Sequence, residues 1–419
     1  MNSWADGQDR ATIGAMSNRS GKLRIAVVSA FYSEGMGYTE NCLPKALAEL
    51  GHDVHVITST FNVYGNEPGY DGTYRAFLGP AQVESGCTRV DGYQVHRLPA
   101  TTVSDYVKLK GLAGKIRDVG PDIVHSVEIA SLQTFELALV KPFARYRLFC
   151  ETHQHRSVVK PFLKQGKGAV LKKALYRVTR TLPTYLASLA VEKCYAIAPD
   201  CAQVAAEFYC VPRSKIKMQS LGTDTELFHP ADAEADVVAR RALRQDLGFT
   251  HDDIVCVYSG RFSRDKNPVV LAKAIDALCE ADARFKGLFI GEGVQKDEIA
   301  ACRNTRIVPF MRHTELAEHY RAADIAVWPT QESMSMLDAA SSGLPVVVSN
   351  RIGVPERVIG NGKLYEEDSV ASMVDVLRGF ANPDERRLYG STGRRKMLAG
   401  FSWSGLAKSV ESDYFDALT

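Results

Sequence analysis

Short apolar runs rich in β-branched residues recur along the chain, separated by stretches with helical apolar spacing. The first unit has an apolar run at 23–29, a glycine-containing loop, an amphipathic segment at 41–50 and a second apolar run at 54–58. Such runs are typical of buried strands, and the order strand, helix, strand predicts a parallel sheet. Further strands are predicted at 93–98, 123–125, 147–151 and 194–198.

The alternation restarts after a segment of turn-forming residues at 222–230. The second set of predicted strands lies at 254–259, 287–290, 306–309, 325–328 and 345–349. One large doubly wound sheet is an alternative, but the restart and the length of the chain favour two α/β domains. Ligands of open α/β sheets bind beyond the carboxyl ends of the strands, so the cleft between the domains is the expected site.

Composition narrows the class of protein. The 419 residues carry a net charge of +2, with 45% apolar and 24% charged residues, as in ordinary globular proteins. Nine cysteines without a Cys-x-x-Cys pair indicate free thiols in a reducing compartment. No apolar run approaches a membrane span, and the polar residues 1–21 lack a signal-peptide core. We therefore expect a loose N-terminal tail and a cytoplasmic protein.

Three loops directly after predicted strands are candidates for phosphate binding. Gly35-Met36-Gly37 and Gly291-Glu292-Gly293 let the backbone approach an anion, although a plain tight turn explains either equally well. The segment 259–268 includes Gly260 and places Arg261 and Lys266 at a strand end, where two cations can clamp a diphosphate. The alternative is that both are solvated surface cations.

The segment 328–349 carries two carboxylates beside a predicted helix start. Glu332 follows a strand end, and Asp338 lies further along. Carboxylates accept hydrogen bonds from sugar hydroxyls, so each is a candidate for holding a polyol; alternatively, either is a solvated helix residue. Ser333 or Ser335 is expected to cap the helix, which leaves its free N–H groups facing the cleft.

Taken in order, these motifs resemble the family-four, retaining GT-B glycosyltransferases. The matching stretches are ALAELGHDVHVIT, PDIVH, GTDTELFHP, SGRFSRDKNP, GEG, VPFMRHTELAEHYRAADIAVWPT and ESMSMLDAASSGLPVVVS. The resemblance implies two facing Rossmann-like domains, with a nucleotide-sugar donor held mainly by the second. It implies domain bounds of 22–228 for acceptor binding and 229–400 for donor binding, with 401–419 crossing back as a helix.

The resemblance also assigns roles to residues. Arg261 and Lys266 contact the donor diphosphate, Glu332 meets the donor sugar, and Asp338 holds the ribose. The turn at Phe310 and Met311 binds the base. The remaining residues expected at the donor are Gly35, Gly37, Gly260, Gly291, Ser333, Met334, Ser335 and Met336.

The chain departs from the family pattern at the donor loop. Five residues separate Glu332 from Asp338, a shorter interval than the family has, and the second acid is an aspartate. Ser333-Met334-Ser335 stands where the family has Gly-Phe-Gly, and Met311 stands where it has a glycine. Sugar choice depends on this loop, so its unusual length weakens any transfer of donor specificity by analogy.

Three histidines are candidates for a place near the reacting carbon. His153 follows a predicted strand and resembles the first-domain histidine that such enzymes place beside the donor sugar. We favour it over His155, and expect His125 to be a packing or supporting residue. A satisfied structural or surface role is the alternative for each. No Asp-x-Asp motif lies near these elements, so we expect no essential metal and no cofactor.

A basic stretch at 156–182 contains no acidic residue. Leucines and a valine at helical spacing accompany its cations, so it is a candidate for peripheral contact with an anionic membrane at the inner face of the cell. A solvated basic helix face or an anionic soluble acceptor explains it equally well. Nucleic acid is not expected, since no reader motif accompanies the charge.

These observations predict a hexosyltransferase-type enzyme. It would move a sugar, with retention, from a nucleotide-diphospho-sugar (UDP favoured over GDP) to a hydroxyl of a sugar or lipid-linked acceptor. Bacterial polysaccharide or glycoconjugate synthesis is the expected setting. The alternatives are a GT-B-like nucleotide-sugar epimerase and a non-catalytic sugar-nucleotide-binding protein.

Overall fold

The computed structural model describes residues 21–103, 106–156, 159, 174–330 and 333–419. Within these ranges the strands form an eight-stranded sheet, a six-stranded sheet and a two-stranded hairpin. The larger sheet belongs to the first half of the chain and the six-stranded sheet to the second half. The predicted fold, two Rossmann-like α/β domains, is confirmed.

The first domain is built on the eight-stranded sheet, in the order β10-β9-β8-β7-β1-β2-β4-β3. All neighbouring strands are parallel except β3 and β4. The hairpin of β5 and β6 lies outside this sheet. The strands are β1 Arg24–Val28, β2 Asp53–Ser59, β3 Gly86–Val90, β4 Tyr93–Leu98, β5 Ala100–Val103, β6 Tyr106–Leu109, β7 Ile123–Ser126, β8 Arg147–Thr152, β9 Cys194–Ala196 and β10 Ile216–Met218.

Helices cover the faces of this sheet. They are α1 Thr39–Glu49, α2 Tyr70–Thr73, α3 Arg75–Leu78, α4 Leu112–Val119, α5 Leu132–Val140, α6 Leu182–Ala190 and α7 Pro199–Gln203. A π-helical turn at Arg177–Thr181 leads into α6, and a second one at Val204–Phe208 follows α7. Short 3₁₀ turns lie at Lys141–Phe143 and Arg213–Lys215. The hairpin, α2 and α3 carry too little apolar periodicity to be predicted from sequence.

The second domain is a parallel sheet in the order β13-β12-β11-β14-β15-β16. Its strands are β11 Ile254–Ser259, β12 Phe285–Ile290, β13 Thr305–Val308, β14 Ile325–Trp328, β15 Val346–Ser349 and β16 Gly362–Tyr365. Every residue of β11, β14 and β15 is buried, as expected for parallel strands covered on both faces.

The helices of the second half run from the linker to the end of the chain. They are α8 Glu234–Asp246, α9 Val269–Cys279, α10 Lys296–Ala300, α11 His313–Ala322, α12 Ser335–Ser341, α13 Val370–Gly379, α14 Pro383–Gly400 and α15 Trp403–Leu418, with a 3₁₀ turn at Pro355–Arg357. Asn382 caps α14 and Ser402 caps α15, each through a side-chain oxygen that accepts a backbone N–H.

The chain crosses between the domains twice, and the two crossings lie side by side. The N–H of Thr223 donates to the carbonyl of Phe401 (2.7 Å), and the N–H of Trp403 donates to the carbonyl of Thr223 (3.1 Å). Beyond the second crossing, α15 packs against α1 and β8 of the first domain. Helix α15, which lies within the predicted segment 401–419, thus packs on the first domain, and the predicted domain bounds stay a prediction.

Buried polar contacts fix α15 on the first domain. The carboxylate of Asp413 accepts hydrogen bonds from Lys193 (2.5 Å), Lys217 (2.7 Å) and Tyr195 (2.8 Å). These bonds lower the pKa of Asp413, although its burial acts in the opposite direction. Removing this carboxylate would leave two amines without their shared partner.

The structure bears on two expectations from the sequence, namely free cysteines and the lack of a membrane span. All nine cysteines lie in the described residues and are free thiols. Within the described ranges, no helix combines the length and apolar character that a bilayer span requires. Most of the predicted tail (1–20) and five cations of the basic stretch (Lys160, Lys164, Lys167, Lys172 and Lys173) lie outside those ranges.

Candidate functional site

A cavity of about 340 Å³ opens between the two domains, where the carboxyl ends of their strands face each other. The first domain contributes residues from the loop after β1 and from a loop around Tyr64–Leu78. The second contributes the loops after β11, β13 and β14. The predicted residues that line it are Gly37, Gly260, Arg261, Lys266, Phe310, Met311, Ser333, Met334, Ser335 and Asp338.

Two glycine loops of the second domain pack backbone against backbone. Gly260 and Gly291 both have left-handed backbone angles (φ 145° and 151°). A Cβ on Gly291 would lie 1.9 Å from the carbonyl oxygen of Gly260, so no side chain fits there. Gly291 does not line the cavity. The glycine at position 291 is therefore explained by close packing against the loop after β11 rather than by a ligand contact.

Arg261 and Lys266 project into the cavity from the loop after β11. Burial lowers the pKa of Arg261, but the hydroxyls of Tyr74 and Tyr64 and the carboxylate of Asp265 outweigh it and leave the pKa raised. The guanidinium thus stays charged at any physiological pH. Two cations at the carboxyl end of a parallel strand form a site suited to an anionic ligand.

Asp338 lies in the cavity wall and holds two elements together. It belongs to α12 and is 3% exposed. One carboxylate oxygen accepts a hydrogen bond from the Thr223 hydroxyl in the interdomain linker (2.7 Å). The other lies 3.0 Å from Nε2 of His313, at the start of α11. The predicted contact of Asp338 with a ribose stays a prediction. Its two hydrogen-bond partners show that this aspartate connects the interdomain linker, α11 and α12.

The glycine loop after β1 presses against the second domain at His313. The backbone N–H of His313 donates to the carbonyl of Gly35 (3.0 Å). A Cβ on Gly37 would lie 2.4 Å from Nε2 of the His313 ring, so the approach of the two domains requires a glycine at this position. Gly37 lines the cavity, whereas Gly35 faces Arg312 and does not.

A second cavity of about 520 Å³ lies in the first domain and shares Tyr38 and Tyr64 with the interdomain cavity. His153 lines it, together with Glu40, Glu128 and Arg180. The two shared tyrosines, whose hydroxyls lie 2.7 Å apart, stand between the cavities. His153 lines the second cavity and not the interdomain one, so its predicted place beside the donor sugar stays a prediction.

His153 is held by a chain of buried hydrogen bonds that ends on α15. Its Nε2 lies 2.6 Å from one carboxylate oxygen of Glu151, and the other oxygen lies 3.0 Å from Nε2 of His125. Nδ1 of His125 lies 2.6 Å from the hydroxyl of Tyr414. His125 is fully buried, in line with the packing role expected for it, whereas His155 pairs with Asp200.

The same chain sets the protonation of its members. Burial raises the pKa of Glu151, but hydrogen bonds with His125 and His153 outweigh this and lower it to about 2. Burial lowers the pKa of His153, but its bond to Glu151 outweighs this and raises the pKa. Glu151 therefore stays ionised and favours a protonated, fixed imidazole at His153.

Glu40 lies opposite in the same cavity, in the first turn of α1. Burial raises the pKa of its carboxyl to about 7. Burial also raises the pKa of Glu128, whose carboxylate accepts the backbone N–H groups of Ala130 and His153. The second cavity thus holds both hydrogen-bond acceptors and a carboxyl group that exchanges its proton near neutral pH.

Besides Gly35 and Gly291, one predicted donor residue does not line the cavity and another cannot be placed. Met336 is 2% exposed and packs in the core of the second domain, where its sulfur accepts the N–H of Ser333 (3.4 Å). Glu332 lies outside the described residues. The expected capping by Ser333 or Ser335 is wrong, because Met334 is the N-cap residue of α12 and gives no side-chain cap; the Ser333 hydroxyl accepts the N–H of Ser335 (3.3 Å) instead.

Sequence reasoning missed several residues that the fold brings to the cavities or binds to the side chains that line them. They are Tyr64, Tyr74, Phe77, Thr223, Glu40, Glu151 and His313. The aromatic density of the segment around Tyr64–Phe77 was a usable signal. Thr223 gave none, because its partner Asp338 is remote in sequence.

Among the described residues, the only cluster with metal-ligand spacing is His155, Asp200 and Cys201. None of the three lines either cavity. Hydrogen bonds of Asp200 to His155 and to the N–H of Arg156 account for its carboxylate. This cluster gives no support for a metal at the cleft.

Two facing Rossmann-like domains with a ligand cleft between them define the GT-B architecture. Sucrose-phosphate synthase from Thermosynechococcus elongatus superposes with a TM-score of 0.67 at 19% identity, covering 95% of this chain and 99% of that one. Anabaena Alr3699/HepE in complex with UDP-glucose superposes with a TM-score of 0.64 at 14% identity, covering 93% and 98%. At these identities the likeness concerns the fold.

Sequence comparison points to a family for the second domain. Residues 253–382 match the family described as glycosyl transferases group 1. The chain is 29% identical over 218 residues to D-inositol 3-phosphate glycosyltransferase 1 of Catenulispora acidiphila, which covers 47% of this chain and 50% of that protein. The chain spans about half the length of the first curated relatives that it matches.

Proposed function

We propose that the protein is a glycosyltransferase that moves a sugar from a nucleotide-diphospho-sugar to an acceptor hydroxyl, with retention at the anomeric carbon. The observation that carries the proposal is the convergence of Arg261 and Lys266 on a cleft between two GT-B domains. The glycosyl transferases group 1 match covers the loops that supply both cations. UDP is the favoured nucleotide, and polysaccharide or glycoconjugate synthesis is the favoured setting.

The leaving group explains why two cations are needed. When the bond between the anomeric carbon and the diphosphate breaks, negative charge grows on the diphosphate oxygens. Arg261 and Lys266 stabilise that charge from fixed positions, so no reorganisation is required at the moment of reaction. Domain closure along the Gly37–His313 contact excludes water and limits hydrolysis of the donor.

The second cavity receives the acceptor. His153 lines this cavity, where it can bind a hydroxyl of the acceptor or of a donor sugar that extends into it. The carboxyl group of Glu40 can accept further hydrogen bonds from the hydroxyl groups of that substrate. Glu332 remains the candidate for donor-sugar hydroxyls, and Asp338 for the ribose.

Two other functions use the same cleft. A nucleotide-sugar epimerase would convert the donor without an acceptor, and a non-catalytic protein would bind the donor without turnover. The altered interval between Glu332 and Asp338 is the feature that favours the non-catalytic alternative. Turnover measured with and without acceptor separates the three.

A binding experiment tests the donor site. Thermal unfolding is recorded with UDP, GDP, ADP and their sugar conjugates, and one family of nucleotides is expected to stabilise the protein. At 100 times its dissociation constant, a ligand that binds only the folded state contributes about 2.7 kcal/mol. Arg261→Ala should lose most of this effect. Arg264→Ala, an exposed cation of the same loop outside the cavity, should keep it.

Two results would contradict the assignment of the donor site. If a folded wild-type protein shows no stabilisation by any nucleotide, the donor-site assignment is wrong. If Arg261→Ala and Arg264→Ala respond alike, the stabilisation comes from another site.

We also propose that the face carrying α6 rests on an anionic membrane surface. Five large apolar side chains follow one another there at helical spacing and are about half exposed or more: Leu175 (61%), Val178 (63%), Leu182 (49%), Leu186 (48%) and Leu189 (51%). Arg177 stands among them and is exposed, whereas Arg180 lines the second cavity. Apolar side chains beside a cation suit the interface of a bilayer, where such a cation contributes about 1 kcal/mol.

Vesicle flotation tests this proposal. The protein should float with phosphatidylcholine vesicles that contain phosphatidylserine, and less with pure phosphatidylcholine. Leu182→Glu combined with Leu186→Glu should abolish flotation. Leu388→Glu combined with Leu398→Glu, on the exposed side of α14, is the matched control. Equal flotation of both variants would contradict the proposal.

A further inference from the structure

A loop of the first domain, residues 62–81, reaches into the cleft and is closed at its own base. The N–H of Asn62 donates to the carbonyl of Ala81 (3.0 Å). The side-chain amide of Asn62 donates to the carbonyls of Leu78 (3.0 Å) and Pro80 (2.9 Å). These bonds hold the two ends together, as in the compact Ω-loops that often carry function. This segment is called the aromatic loop below.

The aromatic loop presents a row of rings to the second domain. Tyr64 and Tyr74 stack with centroids 4.7 Å apart and planes 21° apart. The Tyr74 and Phe77 centroids lie 6.3 Å and 6.1 Å from that of Phe310, which follows β13 in the opposite domain. All four rings line the interdomain cavity. An aromatic surface from each domain therefore faces the same space.

The spacing of these rings is nearly that of a slot for a flat ligand. Optimal carbon–carbon contacts are ~3.5 Å, so a base inserted between two rings needs about 7 Å between them. The centroid distances of 6.1 and 6.3 Å fall short of this by about 1 Å. Besides the bonds at its base, the loop is held by the Val63 N–H, which donates to the Ser33 hydroxyl (3.0 Å), and by the paired hydroxyls of Tyr64 and Tyr38 (2.7 Å). A small movement of the segment beyond Tyr64, which carries Tyr74 and Phe77, would therefore open the slot.

Tyr74 also touches the diphosphate end of the site. Its hydroxyl lies close enough to the Arg261 guanidinium for each group to shift the pKa of the other, and both residues line the cavity. A neutral hydroxyl is a weaker partner for a guanidinium than a phosphate oxygen, because charge-assisted bonds are about twice as strong as neutral ones. A diphosphate that reaches Arg261 would thus displace the Tyr74 hydroxyl. Tyr74 would then contact the base through its ring and compete with the diphosphate through its hydroxyl.

We propose that Tyr74 and Phe77 complete the nucleotide site from the first domain. The donor base enters between these rings and Phe310, and the Tyr74 hydroxyl yields Arg261 to the diphosphate. This inference rests on the proposed function, because it assumes a nucleotide in the cleft. Stacking accepts any base, so the slot supplies affinity while base choice depends on polar contacts elsewhere.

Calorimetry with UDP, uridine and inorganic pyrophosphate tests the inference. If GDP or ADP gives the larger thermal shift, that diphosphate and its nucleoside replace the first two probes. Phe77→Ala should weaken nucleoside and nucleoside diphosphate by the same factor, about tenfold, and leave pyrophosphate unchanged. Tyr74→Phe should tighten the diphosphate about fivefold, because the hydroxyl no longer competes with the diphosphate for Arg261, and leave the nucleoside unchanged.

Matched controls are available elsewhere on the surface. Phe143→Ala removes a ring that is 89% exposed, and Tyr185→Phe removes an exposed hydroxyl. If Phe77→Ala and Tyr74→Phe behave like these controls while the wild type binds the diphosphate, the inference is wrong and the proposed function stands. Weaker diphosphate binding by Tyr74→Phe, or weaker pyrophosphate binding by Phe77→Ala, would also overturn it. A wild type that binds no nucleoside diphosphate contradicts the proposed function instead.

Discussion

The buried carboxyl of Glu40 should make the protein less stable as the pH rises. Its pKa is raised from 4.5 to about 7 by burial. At ~1.4 kcal/mol for each pKa unit, the folded state therefore loses about 3 kcal/mol relative to the unfolded state when this group ionises. The loss begins near pH 4.5, where the unfolded carboxyl ionises, and is complete just above pH 7, where the folded one does.

Glu40→Gln places a neutral amide of the same shape in the cavity wall. The variant should match the wild type near pH 4.5 and exceed its free energy of unfolding by about 3 kcal/mol at pH 8. The neighbours that act on Glu40 are His153, which lowers its pKa, and Glu151, which raises it. Glu40 in turn raises the pKa of His153, so Glu40→Gln also lowers the pKa of that imidazole, and the comparison measures this coupled change together with the burial of Glu40.

Urea unfolding followed by tryptophan fluorescence at pH 4.5, 6 and 8 measures the effect. Glu49→Gln is the control, because Glu49 lies exposed on the same helix and its substitution should change stability by less than ~0.5 kcal/mol at every pH. A Glu40→Gln variant whose advantage does not grow between pH 4.5 and 8 would refute the burial argument.

Two further predictions concern contacts around the cleft. Gly37→Ala should destabilise the closed domain arrangement by about 1–3 kcal/mol, because the new Cβ would lie 2.4 Å from the His313 ring; Gly114→Ala, which has open space, should not, and equal melting of the two variants would contradict this. Glu151→Gln should lower the pKa of His153, since the carboxylate is the main group that raises it; an NMR titration of the imidazole protons that is unchanged from wild type would show that the ion pair is not what sets it.

The fold was predictable because the strands of a parallel sheet give a local sequence signal. Each buried strand such as β11 or β15 is an unbroken apolar run, and every face is covered, so pattern and burial coincide. The polar loops that follow these strands meet in one cleft by the geometry of the sheet alone. This is why Arg261 and Lys266 could be placed correctly at the cavity from sequence.

The remaining parts depend on contacts between residues far apart in the chain. The pairing of Asp338 with Thr223 joins positions separated by more than one hundred residues, and no local pattern signals it. Met336 was expected at the donor because it follows the serines of the loop, but the helical turn from Ser335 directs it into the core. The aromatic loop shows no apolar periodicity, because hydrogen bonds from Asn62, rather than a buried helix or strand face, hold its ends together.

The central claim is tested most directly by nucleotide release in the presence and absence of acceptor. The purified protein is incubated in EDTA with the sugar conjugate of the nucleotide that stabilises it, with and without a mixture of candidate saccharide and lipid-linked acceptors. The account predicts nucleoside diphosphate release that depends on the acceptor, is lost in Arg261→Ala and persists in Arg264→Ala. Conversion of the donor to an isomer without acceptor, or binding with no turnover under any acceptor, would contradict it.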